Sequence, residues 1–178
     1  MPSPVSEFDE AYDDPIREPR TLSEEVLKEP VRRLDPRTPI ALSPDATVAE
    51  AVAAMNDGST GCVLVVVGER LAGIFTERDI VRRICAGGEA LDTLRLGDFM
   101  TAAPDTLELD DPIAFALNLM SVGGYRHVPL VDDKGRPVGV VSVRDVVRFL
   151  VDHFPKRIHN LPPTPKRSPS EFPPHGAG

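Results

Sequence analysis

Residues 73–79 read GIFTERD and residues 139–145 read GVVSVRD. A glycine, two apolar residues, a hydroxyl residue and an arginine-aspartate pair recur sixty-six positions apart. A hydroxyl residue followed three positions later by an acid marks a helix start. Thr76 with Asp79, and Ser142 with Asp145, therefore predict two helix N-termini. Ile80, Val81 and Ile84, then Val146, Val147 and Leu150, continue each at helical spacing.

The surroundings of the phrase repeat as well. Val48, Ala51, Val52 and Met55 form one helix face, and Ile113, Ala116, Leu117 and Met120 repeat it sixty-five residues on. Thr47 with Glu50 predicts a capping box for the first of these helices. Asp111 followed by Pro112 predicts an N-cap for the second, and Gly58 and Gly123 are expected stops. CVLVVV (62–67) and HVPLV (127–131) read as strands, each followed by a tight turn and a second strand, LAGIF and PVGVV. A short opening strand is expected at PIAL (39–42) and at APDTL (103–107). Each unit is thus β-α-β-β-α, an α/β fold of the α+β type. The hairpin strands are apolar throughout, which predicts a sheet covered on both faces. One unit of about 60 residues buries only a marginal core, so two should pack together.

The chain has 178 residues and a formal net charge of −8. That charge disfavours a nucleic-acid or anionic-membrane binder. Residues 1–30 and the proline-rich 155–178 have little to bury and are expected to be disordered tails. HNLPPTPKRSP (159–169) could carry a partner contact. Repeat 1 is expected over 31–95 and repeat 2 over 96–154. No apolar stretch reaches the length of a membrane span and no signal peptide is evident. Cys62 and Cys85 form no CxxC and read as small buried hydrophobes, which suits a reducing cytoplasm.

With VRRLDPRTPIALSPDATVAEAVAAM opening one unit, LGDFMTAAPDTLELDDPIAFALNLM the other, and YRHVPLVDDKGRPVGVVSVRDVV closing it, the chain resembles a tandem pair of cystathionine β-synthase (CBS) domains, a Bateman module. The first repeat departs from the pattern: Gly61, Cys62 and Leu64 stand where the second has Arg126, His127 and Pro129. The resemblance implies pseudo-two-fold packing, two clefts between the repeats, and binding of AMP, ADP, ATP or S-adenosylmethionine there. It also implies a regulatory role toward a partner protein and a flat homodimer, for which helix faces carrying Val81, Ile84 and Phe149 are expected to be exposed.

A ribose offers a cis-diol, and a carboxylate accepts from both hydroxyls. Asp79 and Asp145 are candidates for that role, capping being the structural alternative. Thr76 and Ser142 could meet phosphate at the helix N-termini. Arg126 is the leading phosphate ligand, since a guanidinium engages two phosphate oxygens at once; the alternative is a solvated strand-end charge. Arg78 and Arg144 sit in first helical turns, where a cation opposes the dipole unless phosphate is bound. His127 is a packed histidine or a ligand contact. Gly73 and Gly139 could admit a ligand close to the backbone. Pro39, Ile40, Ala103, Val63 and Val128 are expected to form the apolar slot for adenine. The expected pairing joins Arg126 to the Asp79 cleft and Gly61 to the Asp145 cleft, making the Asp79 cleft the tighter one.

No Gly-x-Ser-x-Gly or Walker loop is present, and the four histidines lack metal-ligand spacing. The sequence therefore predicts no enzyme, no metal and no catalytic cofactor. It favours an adenosyl-nucleotide sensor, with a dimerisation or interaction module whose clefts are vestigial as the alternative.

Overall fold

A computed structural model describes residues 24–85 and 87–153. Helix α1 spans Glu24–Lys28, and a 3₁₀ turn spans Val31–Leu34. Strand β1 (Ala41–Leu42) leads to α2 (Val48–Asp57) and to the hairpin of β2 (Cys62–Val67) and β3 (Arg70–Thr76). Helix α3 (Glu77–Asp79) passes directly into a π-turn at Ile80–Ile84. The second half repeats the order: α4 (Leu96–Phe99), β4 (Thr101–Ala102), α5 (Ile113–Ser121), β5 (His127–Val131), β6 (Pro137–Ser142) and α6 (Val143–His153).

Helix α2 begins where its capping box closes. Thr47 Oγ1 accepts from the Glu50 amide at 3.1 Å, and the Glu50 carboxylate accepts from the Thr47 amide at 2.7 Å. Helix α5 starts differently from expectation. Pro112 is its N-cap, while Asp111 accepts from the Glu108 amide at 2.8 Å and closes the preceding turn.

The two hairpins are antiparallel and carry a register shift at equivalent places, between Val65 and Val66 and between Leu130 and Val131. The first sheet runs β1-β2-β3-β4, with β1 parallel to β2 and β4 antiparallel to β3. The second has the same four rows, but its outer two are single bridges. Leu107 pairs parallel with Leu130, and Arg37 pairs antiparallel with Val140. The expected strand at 103–107 is reduced to that one bridge because Ala103 takes a positive φ of 45° and Pro104 has no N–H to offer.

Each repeat lends its opening segment to the other. Val31 and Leu34 are buried in the core of the second repeat with Ile113, Val128, Leu130 and Phe149. Leu96 is buried in the core of the first repeat with Val48, Val63 and Phe75. Burying one such side chain stabilises by roughly 1.5–3 kcal/mol, so neither repeat completes its core alone. This crossing explains both glycines of the repeated phrase. A Cβ on Gly73 would stand 2.4 Å from Met100 Sδ and 3.0 Å from the Thr101 carbonyl oxygen. One on Gly139 would stand 3.0 Å from Pro36 Cβ. The space they leave is filled by the crossing chain, not held open for a ligand.

The two repeated helices differ after the phrase. The π-turn closes with Cys85 N–H donating to the Ile80 carbonyl at 2.9 Å, five residues back. The wider turn moves the following residues round the axis. Ile84 becomes buried and Cys85 becomes exposed, against the expectation of a buried thiol. Ile84 and Phe149, expected on an open dimer face, are both core residues; the exposed apolar side chains here are Val81, Val143 and Val147.

Residues 24–30, expected in the N-terminal tail, are ordered. Val26 packs on the second core, and the Glu29 carbonyl accepts from the Ile113 amide at 2.8 Å. The remainder of both tails, including 159–169, lies outside the described residues. Among the described residues no helix is long and apolar enough to cross a membrane.

Candidate functional site

The start of α6 shows what the repeated phrase builds. Asp145 Oδ2 accepts from the Ser142 amide at 2.8 Å and from Ser142 Oγ at 2.6 Å, and Oδ1 accepts from Arg148. Asp79 does the same at the start of α3, accepting from the Thr76 amide at 2.9 Å and Thr76 Oγ1 at 2.7 Å, with Arg83 Nε 3.4 Å from its other oxygen. Both aspartates are buried, Asp145 to 1 % exposure. Buried carboxylates persist because each is paired and hydrogen-bonded. The helix-start reading of the phrase therefore holds at both sites, without excluding a ligand.

A cleft of about 640 Å³ opens at Ser142–Asp145, between the start of α6 and the segments 37–40 and 56–62 of the first repeat. That volume lies within the span of ligand pockets, roughly 300–1,000 Å³. Ile40, Leu64 and Val140 supply an apolar wall, with Pro39 beside them. Arg126, His127 and Arg144 stand at the polar end. Among the described residues, neither the Arg126 nor the Arg144 side chain has a hydrogen-bond or ion-pair partner. Two free guanidiniums beside the N-terminus of an eleven-residue helix form a setting for an anion.

His127 is half-buried and lines this cleft. A Cβ on Gly61 would come within 3.1 Å of its Cε1, so Gly61 is the clearance that lets the ring sit there. Burial holds its pKa below the ordinary value; the Glu77 and Asp145 charges oppose that shift, and Arg126 and Arg144 add to it. Cys62 also lines the cleft, but burial pushes its thiol up to about 11, so it stays protonated.

The structure brings Ile40, Arg126, His127, Ser142, Arg144 and Asp145 to one cleft. Arg126 lies with Asp145 rather than with Asp79 as expected, while Gly61 lies in the Asp145 cleft as expected. Val63 and Val128 do not line it. They are fully packed in the two cores, and their neighbours Cys62, Leu64 and His127 face the cleft instead. A strand alternates faces, so reading it one residue out exchanges the two sets. Ala103 is exposed and away from this cleft.

Thr76, Arg78 and Asp79 lie at the pseudo-equivalent position, where protein groups bridge the opening. Arg78 Nη1 donates to the Gly124 carbonyl at 3.0 Å, and Tyr125 OH donates to Asp105 Oδ2 at 2.9 Å. Arg37, Ser59 and Glu77 are further cleft residues that the sequence reading missed. Arg37 donates to the Ser59 carbonyl at 3.2 Å, and Ser59 holds a positive φ of 47°. Ser59 aligns with Gly124, whose φ is 70°. That glycine marks position 59 as a left-handed turn residue just past the α2 C-cap at Gly58.

The model of the CBS domain family matches residues 31–86 and 96–152. A CBS domain-containing protein of Arabidopsis thaliana, CBSX3, mitochondrial, is 37% identical over 122 residues, covering 66% of this chain and 59% of that one. A 17.7 kDa protein of Acidianus ambivalens is 34% identical over 112 residues, covering 62% and 66%. The chain thus spans less than two thirds of the length of these relatives. Among solved structures, the CBS domain NE2398 superposes with a TM-score of 0.65 at 28% identity, covering 69% of this chain and 98% of that one. The Pyrobaculum aerophilum CBS domain protein complexed with AMP gives 0.62 at 27%, covering 69% and 96%. The CBS domain pair of MJ0100 in complex with 5′-methylthioadenosine and S-adenosyl-L-methionine gives 0.63 at 25%, covering 70% and 97%. With both repeats matched and each core completed by the other repeat's opening segment, the chain belongs to the CBS-domain family and folds as a CBS domain pair.

Proposed function

We propose that the Asp145 cleft binds an adenosyl nucleotide (AMP, ADP, ATP or S-adenosylmethionine), and that the chain is a regulatory module reporting this occupancy to a partner protein. The observation that carries the reading is the pair of partnerless arginines, Arg126 and Arg144, at the α6 N-terminus beside an apolar slot. Adenine fits the slot of Ile40, Leu64 and Val140, the ribose faces Asp145, and phosphate meets the two guanidiniums and the helix-start amides. The AMP-bound relative and the pair holding S-adenosyl-L-methionine support the ligand class. The chain acts as a homodimer, joined through the exposed Val81, Val143 and Val147. It acts as a non-catalytic regulator in the cytoplasm.

A second reading, a dimerisation module with vestigial clefts, is favoured by one observation: both aspartates are already used in starting their helices. A thermal-shift panel separates the two. A ligand at 100 times its Kd stabilises by about 2.7 kcal/mol, which for a chain of this size raises Tm by roughly 5–10 °C. Absence of a shift with every adenosyl compound leaves only the second reading.

A further inference from the structure

Asp145 is the cleft carboxylate at the α6 start, where the proposed ribose lies, and it is nearly saturated. A carboxylate has about four lone-pair sites. Ser142 fills two through its amide and hydroxyl, and Arg148 fills a third. A cis-diol brings two donors to the one site left. The serine amide is fixed by the helix start. Arg148 is the freer donor: it stands three residues on, 46 % exposed, and reaches Asp145 from outside the cleft that Asp145 lines. In the first repeat the matching contact is looser, Arg83 Nε lying 3.4 Å from Asp79 and the same side chain donating to the Phe99 and Met100 carbonyls.

Resting on the nucleotide reading of this cleft, we infer that Arg148 sets its ribose affinity by competing for Asp145: it occupies the acceptor while the cleft is empty and is displaced when a ribonucleotide enters. Displacement also gives the site an output. Arg148 lies one turn beyond Arg144 on α6, beside the exposed Val143 and Val147. Its release adds a free cation to that outer face, changing the surface through which the two copies of the proposed homodimer meet.

The test compares the full chain with Arg148→Met, which keeps the length of the side chain and removes its donors. Calorimetry with AMP and with 2′-deoxy-AMP is the readout, beside the melting temperature of the unliganded protein. The expected result is a lower unliganded Tm together with AMP binding about tenfold tighter, the factor set by ~1.4 kcal/mol. The gain shrinks for 2′-deoxy-AMP, which offers one donor fewer. A residue that merely held Asp145 in place would lower Tm and weaken AMP, and that result overturns the inference while leaving the nucleotide reading intact. Binding of AMP to Arg148→Met alone supports it. Binding to neither protein overturns the inference and the nucleotide reading together. Should Arg148→Met fail to fold, guanidinium NMR of the unsubstituted chain decides: slow Arg148 N–H exchange that becomes fast on adding AMP supports displacement, and unchanged exchange with AMP bound overturns it.

Discussion

Alanine at Gly139 should cost stability and spare binding. The new Cβ would stand 3.0 Å from Pro36 Cβ and 3.3 Å from Leu130 Cδ1. Pro36 has no easy retreat. Its neighbour Arg37 is tied to Val140 in both directions, amide to carbonyl at 3.1 Å and carbonyl to amide at 3.0 Å. Each such bond contributes about 0.5–1.5 kcal/mol, and overpacking a fitted contact costs roughly 1–3 kcal/mol. Replacing glycine also restricts the unfolded chain, which returns about 0.4–1 kcal/mol. The net expectation is a loss of about 1–2 kcal/mol, or roughly 2–8 °C in Tm for a chain of this size. Gly139 is not among the residues lining the cleft. The Kd for AMP, measured by calorimetry well below Tm, should therefore change by less than about twofold, as expected of separate sites. The opposite pattern, an unchanged Tm with binding lost, would show that the glycine faces a ligand and that the crossing chain is not its reason.

Gly73→Ala should behave alike in stability, and adding Met100→Ala should recover part of the loss, since Met100 Sδ is the nearest obstacle; a cycle of thermal melts gives the coupling. Thr47→Ala removes the oxygen that accepts from the Glu50 amide and should cost about 1 kcal/mol without changing nucleotide affinity, read by denaturant unfolding. His127 has a depressed folded pKa, so as pH falls through about 6.5 the unfolded chain takes up its proton first and stability declines until pH passes below the folded value. Melts from pH 7.5 to 5.5 should show that decline in the unsubstituted chain and a shallower one in His127→Asn; equal slopes would remove His127 as the cause. Calorimetry should resolve one tighter nucleotide site per chain, and it should vanish in Asp145→Ala and survive Asp79→Ala.

The parts of the fold written in local chemistry were open to reading from sequence. Period and caps placed α2 and its Thr47–Glu50 box, and tight turns between apolar runs placed both hairpins. Whatever depended on which chain crosses which was closed to it. Nothing local says that Val31 and Leu34 enter the core of the second repeat, so Gly139 looked like room for a ligand. An all-apolar strand has no alternation to show its parity, so Val63 and Val128 were placed on the wrong face. The π-turn has no residue signature in IVRRI, and it alone turned Cys85 outward. Pro39, Ile40, Arg126, His127, Ser142, Arg144 and Asp145 do line one cleft as expected, and the phrase itself supplies the last three.

The two copies of that phrase have the same start chemistry and different surroundings, and the difference lies in what each arginine does. Arg78 and Arg144 hold equivalent positions one residue before their aspartates. Arg78 is committed to the Gly124 carbonyl, and Tyr125 fastens to Asp105 beside it. In the other cleft Arg37 takes the equivalent carbonyl, that of Ser59, and so relieves Arg144 of the duty. Ile40 stands where Asp105 does, and Thr60 where Tyr125 does, so no side-chain clasp forms across the opening. Glycine at 61 then leaves room for the His127 ring. A duplicated helix start thus becomes one bridged opening and one open cleft. Among the described residues, the open cleft keeps two arginines with no hydrogen-bond or ion-pair partner, and such a pair beside a helix N-terminus is an arrangement that an anionic ligand stabilises.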